Sequence, residues 1–502
     1  MSWPDLTAAR GLGASLSLLA WLGLCATVRW RHHRAAHRLG QLQRRLARGE
    51  RQGTAPASAE PAWWVVWASQ TGRAQALALQ TAQALQGAGV AVQALPMARL
   101  ALDALQRHAA QGGHCLWVAS TSGDGDPPES AEAFARGPMA LPAALQGLRH
   151  AVLALGDRRY PHFCAFGDDL EDWLQASGSL ALTTTLRCDD EAADTLRQWR
   201  DQLRHWGGTA DAPDLGAPAF QPWRLLRREH LNPGSLGGPL YLLTLAPPPD
   251  LDPAHGAWQA GDLAQVQPPA PAPTAPPPRP RDYSIAGHPG PVAPGAAAPS
   301  GPSPLQLMVR LHRHVDAAGH PATGLASGWL CHGVPEGGTV ALRLRAHPHF
   351  RREPGDARPL ILLGNGAGLA GLRAHLQALA REAGPRRALM ARGRNAWLLL
   401  GERQAAHDRL LEAELQQALH SGVLSRLDRV FSRDTPEAPY VGHRLRAEAA
   451  TLHAWLADGA ALYLCGSLQG LGRSVDAVLH ELLGEAAVQA LRDTGRLRRD
   501  VY

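Results

Sequence analysis

The chain of 502 residues contains no lysine. All 50 of its basic residues are arginine, so no site in it rests on a lysine amine. Charge is sparse at 19% of residues, and the net charge of +6 overstates the basic character. Eight arginines and one glutamate fall between Arg29 and Arg51, which leaves the rest of the chain close to neutral. The basic balance therefore gives no argument for a nucleic-acid partner. Cysteine is also scarce. Cys25, Cys115, Cys164, Cys188, Cys331 and Cys465 form no CxxC pair, and none lies at a metal-type spacing from histidine. That excludes a zinc site and a disulfide framework, and it fits a reducing compartment. His32, His33 and His37 lie among arginines and read as a solvated basic face rather than a metal site. No metal is expected.

What is present is enough for two or three domains with real cores. Hydrophobic residues make up 45% of the chain, and 52 glycines with 40 prolines imply long loops and linkers. Gly11 to Val28 is an uncharged, mostly apolar run bracketed by Arg10 and Arg29. Its length predicts one membrane-spanning helix, and the arginine excess after it predicts a signal anchor with the remainder in the cytoplasm. A signal peptide would carry its positive charge before the apolar run. Residues 8–30 are thus assigned to an anchor in the inner (cytoplasmic) membrane and 31–61 to a basic tether.

From residue 62 the pattern changes. Trp63 to Trp67 reads as a buried strand, and a helical stretch begins at Arg73. Strand-like runs recur at Val90–Leu95, Cys115–Ser120, Ala151–Leu155 and Leu180–Leu186. This rhythm predicts an α/β, doubly wound parallel sheet over 62–207, with ligands beyond the carboxyl ends of its strands. Three loops fall there: Ser69–Arg73, Ser120–Pro128 and Gly156–Gly167. Residues 208–222 form a Pro/Gly/Ala linker. Over 223–350, apolar runs at Arg224–Arg228, Tyr241–Leu245, Leu305–His312, Gly324–Leu330 and Thr339–Leu344 predict an antiparallel barrel. The Pro-rich stretch Pro268–Pro280 interrupts it. Over 358–502 the βα alternation returns, through Leu360–Leu363, Ala396–Leu400, Arg429–Phe431 and Ala461–Cys465. The first of these strands enters a loop with Gly364, Gly366 and Gly368. Such a loop lets backbone N–H groups approach a phosphate at a helix start.

This order of parts resembles the diflavin reductase family of NADPH–haemoprotein reductases and sulfite-reductase-type flavoproteins, from about Ala62 to Tyr502. STSGDGDPPESA, LGDRRYPHFCAFG and the terminal RRDVY carry the resemblance. It implies a flavodoxin-like FMN domain, an FAD-binding barrel and a Rossmann-like NADPH domain of ferredoxin reductase type. Ser69, Gln70, Thr71 and Gly72 resemble the FMN phosphate loop. Ser120, Thr121, Gly123 and Gly125, with Gly156, Tyr160, Phe163 and Cys164, resemble the loops around the flavin ring. Tyr160 matches the family's aromatic that stacks on one ring face, and Asp189 falls near a family acidic position. Arg281, Tyr283 and Ser284 match the first FAD signature; Gly324 and Ser327 match the second.

For NADPH, Gly364, Gly366, Gly368 and Arg373 resemble the pyrophosphate loop, and Arg403, Ser432, Arg433 and Tyr440 the group that grips the 2′-phosphate. Cys465-Gly466-Ser467 resembles the family's CGD turn, with serine in place of aspartate. Ser284, Cys465 and Asp500 are then the implied hydride-transfer cluster, and Tyr502 the terminal aromatic over the FAD ring. The implied activity passes electrons from NADPH through FAD and FMN to a one-electron acceptor, a haem or iron–sulfur protein. Two alternatives stand beside it. The apolar N-terminal run favours a membrane acceptor such as quinone or a ferric chelate. The departures at Ser122, Ala438 and Ser467 favour a flavin-poor membrane binding protein.

Overall fold

The computed structural model describes residues 63–122, 125–190, 192–207, 219–251, 258–270, 278–289, 303–315, 319–353, 355–382, 393–435 and 439–502. The anchor and tether expected over 8–61 lie outside the described residues, as do Gly123 and Ala438. Among the described residues no helix is long and apolar enough to cross a membrane. The chain divides into two compact units, Met1–Ala217 and Pro218–Tyr502.

The first unit is built on six strands: β1 (Trp63–Ala68), β2 (Val92–Pro96), β3 (His114–Ser120), β4 (Arg149–Gly156), β5 (Leu180–Ala181) and β6 (Leu186–Asp189). Their order is β2-β1-β3-β4-β5, with β6 also on β4, and all pairs are parallel. β1 shows why the sheet is covered on both sides. Val65 and Trp67 face one core with α1 (Arg73–Gly87) and α5 (Ala193–Gly207). Val66 and Ala68 face the other, with α2 (Leu102–Ala110), α3 (Glu132–Arg136) and α4 (Ala165–Ala176). A near-continuous apolar strand is what a parallel sheet buried on both faces requires. The buried Trp199 of α5 donates its indole N–H to Thr81 of α1 at 3.0 Å, which satisfies its one polar atom. The single strand expected over Leu180–Leu186 is two strands. Leu182 N–H still bonds His150 O at 2.6 Å, but the chain then leaves the ladder and Thr185 turns its hydroxyl to Glu171 at 2.9 Å.

The second unit holds a barrel and a second sheet. The barrel strands are β7 (Gln221–His230), β8 (Leu240–Ala246), β9 (Leu263–Gln267), β10 (Arg281–Ser284) and β11 (Leu305–Arg310). After the hairpin β12 (Arg313–Val315) and β13 (Pro321–Thr323) and the short helix α6 (Leu325–Gly328) comes β14 (Thr339–Arg345). The antiparallel order is β10-β9-β14-β7-β8-β11. A bridge between Ile285 and Leu307 joins the two ends, so the sheet closes on itself. The strand expected over Gly324–Leu330 is instead α6 followed by a helical turn at Trp329–Gly333. Periodicity alone does not separate a short apolar strand from a buried helical turn. Here Leu330 and Cys331 face the barrel core, and Ala326, one turn before Leu330, is buried as well.

The remaining sheet is parallel in the order β17-β16-β15-β18-β19. It comprises β15 (Leu360–Asn365), β16 (Ala396–Glu402), β17 (Arg426–Phe431), β18 (Ala461–Gly466) and β19 (Leu497–Val501). Between its strands lie α7 (Leu369–Arg381), α8 (Glu412–His420), α9 (Val441–Ala447), α10 (Ala449–Ala457), α11 (Arg473–Leu483) and α12 (Glu485–Asp493). Every residue of α7 from Leu369 to Leu379 is buried, and its core cluster joins residues of the barrel to those of this sheet.

Candidate active site

In the first unit, three loops meet at the carboxyl ends of β1, β3 and β4, where the strand order reverses direction. Side chains tie them together. Ser69 N–H donates to Ser130 Oγ at 3.0 Å, and the Ser130 hydroxyl donates to Ser69 O at 3.0 Å. Glu129 N–H donates to Gln70 Oε1 at 3.1 Å, and Thr121 N–H to Leu155 O at 2.9 Å. Arg158 N–H donates to Asp189 Oδ1 at 3.1 Å, which holds the third loop to the end of β6. Gly72 opens α1 with φ of 87°, a left-handed conformation that favours glycine. Ser69 Oγ and Thr121 Oγ1 are buried without a protein partner. An orphaned hydroxyl on the loop that enters α1 and another on the loop after β3 fit a phosphate-bearing ligand such as FMN.

Tyr160 stands half exposed at the mouth, Phe163 lies 4.6 Å beneath the Arg158 guanidinium, and Ser120, Gly125 and Gly156 line the same end. Cys164 lies at the base of the third loop. Its thiol turns inward, donates to Ala154 O at 3.4 Å, and is pushed up to about 12 by burial. It packs the base of the loop.

In the second unit, residues from three strands converge. Cys465 of β18 and Asp500 of β19 are register partners on neighbouring parallel strands. Ser284, the last residue of β10, reaches them from the barrel. Its hydroxyl donates to Asp500 Oδ2 at 2.6 Å and lies 3.9 Å from Cys465 Sγ. The Cys465 thiol donates to the same Oδ2 at 3.5 Å. Burial raises the Asp500 carboxyl above its ordinary range, and the two donors oppose the shift. Burial and the neighbouring Asp500 carboxylate push the Cys465 thiol up as well, so it stays a neutral thiol. Gly368 makes the approach possible: a Cβ there would lie 2.0 Å from Cys465 O.

Beside the cluster opens a cleft of about 680 Å³. Gly366, Arg403, Ser432, Arg433, Tyr440 and Tyr502 of the expected residues line it, and Gly364 and Gly368 pack beneath its floor. Ser432 N–H and Arg433 N–H bond Glu402 O and Arg403 O at 2.9 and 2.8 Å, which fixes the two arginines side by side. The Tyr502 backbone is pinned to Gly466 O at 3.1 Å while 63% of the residue is exposed. A cationic, hydroxyl-lined wall beside a glycine loop fits a nucleotide carrying an extra phosphate.

Arg373 is not among the residues that line the cleft. It is 4% exposed, pairs with Glu414 at 2.8 Å and donates to Ala286 O and Gln306 Oε1 at 2.8 and 2.7 Å. It clamps α7 to the barrel from one turn inside the helix, within the stretch Leu369–Leu379 in which every residue is buried. The barrel residues of the FAD signatures lie on β10 and at α6. Arg281 donates to Arg279 O and Pro280 O at 3.0 Å each, and Tyr283 is half-buried with its phenol pushed up by burial. The Ser327 hydroxyl accepts from His312 N–H at 3.1 Å. A Cβ at Gly328 would lie 2.4 Å from Thr323 Oγ1, so the turn is tightly packed. Sequence reasoning missed Arg310, Glu402 and His443 on the cleft wall. The adjacency of Glu402 to Arg403 was the one available signal.

Comparison with known proteins agrees with this layout. Residues 65–206 match the flavodoxin family model. The chain is 26% identical, over an alignment of 562 positions, to the sulfite reductase (NADPH) flavoprotein alpha-component of Neisseria meningitidis serogroup C, covering 89% of this chain and 91% of that protein. The corresponding protein of Vibrio cholerae serotype O1 is 26% identical over 550 positions, covering 87% of each. That of Mannheimia succiniciproducens is 33% identical over 215 positions, 40% of this chain and 35% of that protein.

Proposed function

The chain is a homologue of the diflavin reductases over most of its length, and on that premise we propose that it is an NADPH-dependent flavoprotein oxidoreductase using FMN and FAD. Its acceptor is a one-electron partner protein that carries haem or an iron–sulfur centre. The observation that carries this reading is the bonded cluster of Ser284, Cys465 and Asp500, brought together from β10, β18 and β19. The flavins supply the exchange between a two-electron hydride donor and a one-electron acceptor.

The chain supplies position and charge. Arg281, Tyr283 and the Gly324–Ser327 turn would hold FAD, with the Ser284 hydroxyl available to it at the end of β10. Asp500 keeps the Ser284 hydroxyl oriented through Oδ2, and its carboxylate stabilises the positive charge that develops on nicotinamide as hydride leaves. Cys465 packs the third side and keeps water out. Arg403, Ser432, Arg433 and Tyr440 grip the 2′-phosphate, and the Tyr502 ring moves aside to admit nicotinamide. In the other unit, Ser69 to Gly72 would hold the FMN phosphate, and Tyr160 would supply an aromatic face for the flavin.

Residues 8–30 anchor the protein in the inner (cytoplasmic) membrane, with the catalytic units on the cytoplasmic side. The apolar run Gly11–Val28 supports a second reading of the acceptor, as a membrane quinone or a ferric chelate. Purified full-length chain is expected to yield one FMN and one FAD after denaturation, and to reduce ferricyanide and cytochrome c with NADPH. FAD alone would leave a single-flavin reductase. Neither flavin, after loading, would remove the enzyme reading. Pelleting with membranes after carbonate washing, lost on deleting residues 1–61, tests the anchor.

A further inference from the structure

We infer that Glu402 is a specificity-determining residue of the nucleotide cleft, whose carboxyl sets how much more tightly the cleft holds a 2′-phosphorylated adenosine than an unphosphorylated one. The inference rests on the cleft being the NADPH site. Glu402 ends β16, the strand beside the one that enters the glycine loop. Nucleotide-binding α/β sheets meet the adenosine ribose near there, with a carboxylate for a free 2′-hydroxyl or an arginine for a 2′-phosphate. This chain places both groups together, as Glu402 and Arg403.

Glu402 is among the residues that line the cleft, yet the residue is only 6% exposed. Gly366 N–H donates to its carboxyl, while Oε1 has no protein partner. A buried carboxyl oxygen left unmatched on a cleft wall is unfavourable unless a donor from the cleft meets it. A ribose 2′-hydroxyl is such a donor. A 2′-phosphate is not: it brings like charge toward Glu402, and Arg403, Ser432 and Arg433 must outweigh that repulsion.

The charge on Glu402 depends on pH. Burial pushes its carboxyl up to about 8. Arg310 on β11 and Arg429 on β17 draw it down, and Asp408 on the loop after β16 pushes it up. Arg403, Arg433 and His443 face the same cleft. Near pH 7 the group is mostly protonated and tolerates a phosphate. Near pH 9 it is ionised and repels one.

The test is calorimetric binding of 2′,5′-ADP and of 5′-AMP to the full chain from pH 7 to pH 9, in wild type, Glu402→Gln, Glu402→Ala and Arg403→Ala. The 2′-phosphate ionises near pH 6 and stays a dianion over this range, and the 5′-phosphate cancels in the ratio of affinities. In wild type the ratio is expected to fall by about tenfold between pH 7 and pH 9, one decade for each pK unit of coupling. Both Glu402 variants are expected to hold it flat, with 2′,5′-ADP bound about tenfold more tightly than by wild type at pH 9. A ratio with the same pH dependence in wild type and in both variants overturns the inference. If Arg403→Ala leaves the ratio unchanged, or wild type binds neither probe, the NADPH reading of the cleft fails and the inference fails with it.

Discussion

The two units solve the same problem in opposite ways. In the second, the side chains of the proposed hydride-transfer cluster satisfy one another: Ser284, Cys465 and Asp500 share hydrogen bonds and sit against the buried face of α7. In the first, the flavin loops are tied to each other by main-chain and side-chain bonds, yet Ser69 and Thr121 keep buried hydroxyls without protein partners. A cluster that must hold a carboxylate at one distance is pre-organised by its own contacts. A loop that must hold a phosphate leaves donors over for it. The first kind of site is expected to fail through the rate of chemistry, the second through loss of the ligand.

The largest expected effect tests the second kind. Gly72→Val puts a β-branched residue at φ of 87°, where it is strained by about 1–3 kcal/mol. The purified variant should lose FMN and retain FAD, keeping ferricyanide reduction and losing cytochrome c reduction. FMN retained at one per chain would break the contrast. Next comes the first kind. Asp500→Asn keeps the shape and removes the charge, so FAD reduction by NADPH in stopped flow should slow by roughly 10²-fold, with both flavins still bound.

A third pair separates clamp from grip. Arg373→Ala should destabilise the second unit by roughly 3 kcal/mol, the typical loss when one partner of a buried ion pair is removed, with KM for NADPH unchanged. Arg403→Ala should do the reverse, raising KM with little change in melting temperature.

Acid should also part the units. His347 and His349 are pushed down to about 4 and His375 to about 3, each chiefly by burial. Their folded values lie below the unfolded one, so their stabilising effect is complete above about pH 6.5 and fades as pH falls toward 4 and below. Glu402 runs the other way: raised to about 8, it lowers stability as pH climbs from about 4.5 toward 8. Three histidines outweigh one glutamate between pH 6.5 and 4.5, and His108 and His114 of the first unit are only partly affected. Hydrogen exchange on the full chain is expected to open α7 before β1 and β3 as pH drops from 7 to 5. The smallest effect is at Gly371, where a Cβ would lie 3.0 Å from Phe350 Cε1 and 3.3 Å from Cys465 Sγ. Gly371→Ala should slow flavin reduction a few-fold with flavin content intact.

Much of this was legible in the residues. Apolar strand runs ending in Gly, Ser and Thr loops announced both parallel sheets, because a strand buried on two faces has little choice of composition. The cluster was legible only through resemblance, since Ser284, Cys465 and Asp500 lie far apart in the chain and carry no shared periodicity. The helical turn at Leu325–Gly333 was not, because a short apolar run fits strand and buried turn alike. Arg373 and Cys164 show what a motif leaves open: it names a position, while the direction of a side chain depends on what packs around its element. Glu402 was hidden because a charged residue is exposed by default, and nothing local marks its burial.

The buried helix α7 has a consequence for inheritance. Its Arg373 grips barrel atoms at one end of a hydrogen-bond chain and α8 at the other, while its apolar face completes the core beneath β15 and β18. A gene fusion that joined the barrel of one protein to the nucleotide sheet of a distant relative would have to rebuild this whole helix from both sides at once. Barrel and sheet therefore travel as one heritable module, and shuffling that keeps activity is expected to cut the chain near residue 217 and not near residue 355.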